Sequence, residues 1–84
     1  MTAHYENLTT YLKTTELSNN MIRLKFEQIE EIIGDVLPQE AHELRTWWSN
    51  QKKDSDSQKS GWLDAGFIVI KTKFSENYVD FLKI

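Results

Sequence analysis

Hydrophobic periodicity switches along this chain between the helical 3.6 and the strand period of 2, and the order of those switches constrains the fold more than any single motif. Tyr5, Leu8, Tyr11 and Leu12 fall at i, i+3, i+6 and i+7, which predicts a short helix over residues 5–14. Thr14 to Asn20 reads as a loop. From Met21 to Phe26 the residues Ile22, Leu24 and Phe26 alternate with Arg23 and Lys25, the pattern of a half-buried strand. Phe26, Ile29, Ile32, Ile33 and Val36 then form a second helical stripe, with Glu27, Glu30 and Glu31 where the helix dipole favours acids and Gly34 at the C-terminal cap. Pro38 starts a third helix with Ala41, Leu44 and Trp48 on one face, running to about Asn50.

The stretch from Gln51 to Ser60 contains no apolar residue and reads as a mobile surface loop. One helical turn with Trp62 and Leu63 follows between Gly61 and Gly66. Phe67–Phe74 and Tyr78–Ile84 are β-branched and aromatic runs separated by Ser75, Glu76 and Asn77, a hairpin signal. The expected architecture is therefore α+β, in the order helix-strand-helix-helix-(short helix)-strand-strand. That is the order of a winged helix-turn-helix domain occupying residues 1–84 as one unit. In such a domain the first strand pairs with the hairpin, the helices cover one sheet face and the hairpin loop is the wing.

Composition narrows the setting. The chain has 84 residues and no cysteine, so no disulfide can supplement a modest core, which favours a reducing compartment. No segment approaches the roughly 18 apolar residues of a membrane span, and Met1-Thr2-Ala3-His4-Tyr5 lacks the start of a secretory signal. A cytoplasmic location is expected. The net charge of −3 conceals an asymmetry: residues 1–44 hold eight acids and three bases, and residues 45–84 hold seven bases and five acids. A basic second half suits nucleic acid and an acidic first half suits a protein partner.

From Leu37 onward the residues Leu37-Pro38, Ala41, Arg45, Trp47-Trp48-x-Asn50, Gln58, Trp62-Leu63-x-Ala65-Gly66 and Val69 resemble a family of small, uncharacterised bacterial and phage domains marked by a Trp-Trp-x-Asn signature. Tyr5, Leu8, Tyr11-Leu12, Leu24, Phe26, Ile29-Glu30-Glu31-Ile32 and Gly34 extend the resemblance over nearly the whole chain. It implies no activity. The chain departs from the pattern at Lys25, where Thr is usual, at Glu40, where Ser is usual, and at Phe67, where Trp is usual. Lys25 cannot accept the backbone N–H bonds with which a Thr would cap the following helix.

Catalytic chemistry finds little to stand on. Of the two histidines, His4 sits at the terminus and His42 has Glu43 beside it but no second His four residues on, so a zinc-protease motif is absent and His42 reads as an exposed helix residue. Glu30 and Glu31 are adjacent and do not face one another as an acid/base pair would. Asp54-x-Asp56 opens like a calcium loop, yet Lys59 and Ala65 stand where Gly and Glu are required. The expectation is a binding domain, with no enzymatic activity, cofactor or metal.

The candidate nucleic-acid-binding residues are Arg45, Trp47, Asn50, Lys52, Lys53, Gln58 and Lys59 around the end of the third helix, with Lys71 and Lys73 from the hairpin. Lysines there would meet phosphate, and Asn50 and Gln58 would read bases, the helix lying in the groove of duplex DNA. Trp48 and Trp62 are expected in the core, and Trp47 either packs under the loop or offers a stacking surface. The expected role is a small regulator or accessory domain of bacterial or phage origin, acting as a homodimer if it reads sequence. The competing expectation is a protein-binding module, such as a phage-type inhibitor of a host defence protein, with Glu27, Glu30, Glu31 and Asp35 as contact face and Trp47 as anchor.

Overall fold

The computed structural model describes residues 4–51 and 57–84. Helix α1 spans Tyr5–Thr14, strand β1 Met21–Lys25, helix α2 Phe26–Ile33 and helix α3 Gln39–Glu43. A 3-10 turn at Arg45–Trp48 and another at Ser57–Lys59 precede the short helix α4, Ser60–Leu63. Strands β2, Phe67–Lys73, and β3, Tyr78–Lys83, complete the fold. The mixed α+β architecture and the order of elements agree with the sequence pattern.

The sheet is antiparallel in the order β1-β3-β2, so the C-terminal strand is central and the first strand pairs with the hairpin. Its inner face carries Leu24, Val79, Phe81 and Phe67, which join Leu8 and Leu12 of α1, Phe26, Ile29 and Ile33 of α2, Ala41, Trp48 and Trp62 in one buried cluster. An aromatic column threads that cluster. Phe26 stacks on Trp48 at 5.5 Å, Trp48 on Trp62 at 5.6 Å, and Trp62 reaches Phe81 at 5.9 Å, each pair adding to its area burial. Helix α4 approaches α1 closely at Gly61, where an added Cβ would lie 3.1 Å from Leu8 Cδ2 and 3.2 Å from the Tyr5 carbonyl. Thr9 Oγ1 donates to the Gly61 carbonyl across that contact at 2.9 Å.

The third helix is the main departure from expectation. It does not run to Asn50 but stops at Glu43, after which Leu44 is extended (φ −113°, ψ 118°) and Arg45–Trp48 form the 3-10 turn. The cause is the indole of Trp48, whose Nε1–H donates to the Ala41 carbonyl at 2.7 Å, the acceptor that the Arg45 N–H would need for the helix to continue. Leu44, expected in the core, is consequently 49% exposed, and Val36 at the end of the α2 stripe is 73% exposed.

Lys25 at the start of α2 is accommodated from elsewhere. Its side chain forms no capping bond; Gln28 Oε1 accepts the Lys25 N–H at 2.9 Å, and the Asn77 carbonyl accepts the Phe26 N–H at 2.8 Å. The tip of the β2–β3 hairpin is thereby tied to α2 and does not project as a free wing.

A β-bulge decides which residues the second strand shows to solvent. Val69 pairs with Phe81 and Lys71 with Asp80, so Ile70 is the extra residue. Before it, Phe67 and Val69 face inward; after it, Thr72 faces inward and Lys71 and Lys73 face out. Without the bulge both lysines would point into the core.

Candidate functional site

Most of the polar residues expected to meet a ligand are occupied within the fold. The Asn50 amide donates from Nδ2 to the Val69 carbonyl at 2.9 Å and accepts at Oδ1 from the Val69 N–H at 2.8 Å and from Trp62 Nε1 at 3.1 Å. Asn50 neither caps a helix nor presents a free amide to a base. Arg45 Nη1 donates to the Thr72 carbonyl at 3.3 Å, and its guanidinium lies 5.6 Å from the Phe74 ring. Asn50 and Arg45 thus stitch the outer edge of β2 on either side of the bulge, covering a strand edge that would otherwise offer unpaired backbone groups.

Gln58 and Lys59 were expected in a mobile surface loop, and both are buried, Lys59 to 4% exposure. Gln58 Nε2 donates to the Trp47 carbonyl at 3.5 Å, and Lys59 Nζ donates to Ser49 Oγ at 2.9 Å and to the Gln51 carbonyl at 2.8 Å. Together they hold the chain on both sides of residues 52–56. Lys52 and Lys53, like the Asp54-x-Asp56 pattern, lie outside the described residues. Trp47 is half-buried, edge-on to Trp48 at 4.6 Å and to Tyr5 at 6.4 Å. An open cleft of about 340 Å³ beside it is lined by Leu44, Ser49, Gln58 and Lys59 among others. His42 is exposed, its ring edge-on to Phe26 at 5.1 Å.

The open face of the sheet gathers a different set of charges. The register places three residues in each of two rows across the strands: Arg23, Asp80 and Lys71 in one, Lys25, Tyr78 and Lys73 in the next. Each row has a cation on both outer strands. With strands about 4.8 Å apart and alternate residues roughly 7 Å apart, the backbone positions of the four basic residues mark the corners of a rectangle of about 10 by 7 Å, from which Arg23 and Lys71 reach in toward the Tyr78 ring. The centre of this rectangle is internally bonded. Arg23 donates from Nε to Asp80 Oδ1 at 2.8 Å and from Nη2 to Oδ2 at 3.2 Å, while its Cζ lies 3.9 Å from the centre of the Tyr78 ring.

The hydrogen bond to Asp80, joined by the nearby negative charges, raises the Arg23 pKa beyond its already high value, so this cation persists at any pH the fold survives. Lys73 pairs with Glu76 at 2.8 Å, which raises the lysine pKa and lowers that of the carboxylate. Among the described residues neither Lys25 nor Lys71 has an ion-pair partner. The third row, Met21, Leu82 and Ile68, is apolar and lies on the same face.

Lys71 and Lys73 are the two expected site residues that this face includes. Arg23, Lys25 and Tyr78 were missed, although the alternation of Arg23 and Lys25 with Ile22 and Leu24 already placed both bases on the solvent side of a strand. What the sequence lacked was the pairing that sets them opposite Asp80 and Tyr78.

A family model described as a domain of unknown function (DUF7662) matches residues 5–83. No curated protein and no solved structure matches the chain.

Proposed function

The chain belongs to the DUF7662 family, a domain of unknown function, and we propose that it is an α+β nucleic-acid-binding domain that meets the phosphate backbone with the open face of its sheet. The observation that carries this reading is the pair of cross-strand rows, in which Arg23, Lys25, Lys71 and Lys73 surround Tyr78 and Asp80. Phosphate recognition needs several cations at fixed spacing, and strands hold them more rigidly than a loop does. The third helix is a poor alternative. It is five residues long and exposes Gln39, Glu40, His42 and Glu43, two of them acids that phosphate would repel.

The test is binding of a fluorescein-labelled oligonucleotide, followed by anisotropy across a salt series. Three to four phosphate contacts predict a log–log slope of about −2 to −3 on a single strand, and non-specific affinity of about 1–100 µM at physiological salt. A slope near zero, or no binding at low salt, would remove the proposal.

A second reading has its own observation. The surface of α2 and α3 is acidic, through Glu27, Glu31, Glu40 and Glu43, and carries the exposed apolar side chains Val36 and Leu44. Exposed apolar residues on an acidic surface suit a basic protein partner. Trp47, half-buried beside Tyr5 and Trp48, lines the neighbouring cleft and is the aromatic anchor of this reading.

A further inference from the structure

Resting on the nucleic-acid reading above, we infer that the strand this domain prefers is single, laid over the open sheet face with its phosphates on the Arg23, Lys25, Lys71 and Lys73 corners and its bases on the outer plane of Arg23 and the Met21–Leu82–Ile68 row. The major groove of B-DNA, about 12 Å wide, admits a helix or a two-stranded ribbon. This face is three strands wide and backed by a body measuring 30 × 26 × 24 Å, so against a duplex it could touch only the phosphates on the rim. Such a contact would leave the apolar row facing water.

The chemistry of the face fits unpaired bases. Arg23 is held flat: Asp80 fixes its edge through two hydrogen bonds and Tyr78 supports its inner plane at 3.9 Å, yet 58% of the side chain remains exposed. A guanidinium fixed in this way is a platform on which a base can stack, as bases stack on arginine planes in RNA-binding proteins. The neighbouring row of Met21, Leu82 and Ile68 offers apolar contact at the same level, with Met21 on an outer strand 37% exposed. Two cationic rows beside one apolar row match a polymer whose backbone is anionic and whose bases are uncovered. A duplex hides the second feature.

The test compares a labelled 15-nucleotide oligo-dT with a 15-base-pair duplex on the whole chain at about 100 mM salt, in the wild type and two variants. Single-strand binding should be at least about tenfold tighter than duplex binding. Arg23→Lys keeps the charge and removes the plane; it should weaken oligo-dT binding about five- to tenfold while leaving the salt slope unchanged, and Leu82→Ser should weaken it similarly without touching any cation. Circular dichroism of each variant separates these losses from unfolding, and the Leu82 variant keeps the test intact if Arg23→Lys does not fold. Equal or tighter duplex binding, or folded variants that bind oligo-dT like the wild type, would overturn this inference and leave the nucleic-acid reading standing. Binding to neither nucleic acid, with or without binding to anionic phospholipid vesicles, would overturn both.

Discussion

The side-chain amide of Asn50 hydrogen-bonds to both the N–H and the carbonyl of Val69, at 2.8 and 2.9 Å, as a residue of a neighbouring strand would. One amide does the work of a short fourth strand at the edge of the sheet, and its oxygen also receives the Trp62 indole. The Trp47-Trp48-Ser49-Asn50 segment is thus a folding device. Trp48 ends the third helix, and Asn50 fastens the chain beyond it to β2 just before the bulge.

Replacing Asn50 with Ala should therefore destabilise the fold by about 0.5–1.5 kcal/mol, the net worth of an intramolecular hydrogen bond at a site that water can reach. In a domain of this size each kcal/mol lowers the melting temperature by about 4–8 °C. Asn50→Asp should be at least as damaging, because a carboxylate cannot donate to the Val69 carbonyl. Thermal melting of both variants checks this, and an unchanged melting temperature would remove Asn50 from the structural role assigned to it.

Lys59 should behave unlike its neighbours in sequence. Buried and bonded to Ser49 and Gln51, it should cost about 1–3 kcal/mol when changed to Gln, with the loss visible in a urea unfolding midpoint. For this reason a change at Lys59 cannot separate folding from binding, whereas single changes at Lys25 or Lys71 can.

Much of the fold was legible because local pattern and tertiary demand agreed. Tyr5–Thr14, the Ile22/Leu24 alternation and the hairpin were plain in the spacing; Trp48 is in the core as expected, but a 3-10 turn and not a continued helical stripe puts it there. The break at Leu44 was hidden, since Glu43-Leu44-Arg45 contains only good helix formers and the competing donor is an indole seven residues beyond its acceptor. The candidate site was legible only in part. A run of charged and small residues gave no sign that Gln58 and Lys59 would be buried, because their partners are backbone carbonyls and a hydroxyl across a loop. Nor did Phe67–Phe74 announce a bulge at Ile70, the irregularity that turns Lys71 and Lys73 outward.

Truncating Trp48 to Ala should cost about 3–5 kcal/mol, as for other large aromatic residues emptied from a core. It stacks between Phe26 and Trp62 and also supplies the hydrogen bond that ends the third helix. Most of the protein should be unfolded at 37 °C by circular dichroism; a near-native melting curve would contradict the aromatic column.

Tyr5 gives a pH-dependent prediction. Burial, with a smaller contribution from Asp35, raises its phenol pKa above 10.0. A raised value means that the folded state holds the proton longer than the unfolded state, so this contribution to stability is complete below pH 10 and is lost as the pH rises through the folded value. Urea midpoints between about pH 9 and 11.5 should fall more steeply for wild type than for Tyr5→Phe. Parallel curves would show that the Tyr5 phenol is not favoured in its neutral form by folding.

An amide chemical-shift titration of the labelled protein with oligo-dT locates the binding face residue by residue. Shifts should concentrate on the outward residues of the sheet, Arg23, Lys25, Lys71, Lys73, Tyr78 and Asp80, while those of Gln39–Glu43 of α3 stay where they are. Shifts confined to α3 and the acidic helical surface, or no shifts at oligonucleotide excess and low salt, would contradict the proposed binding face.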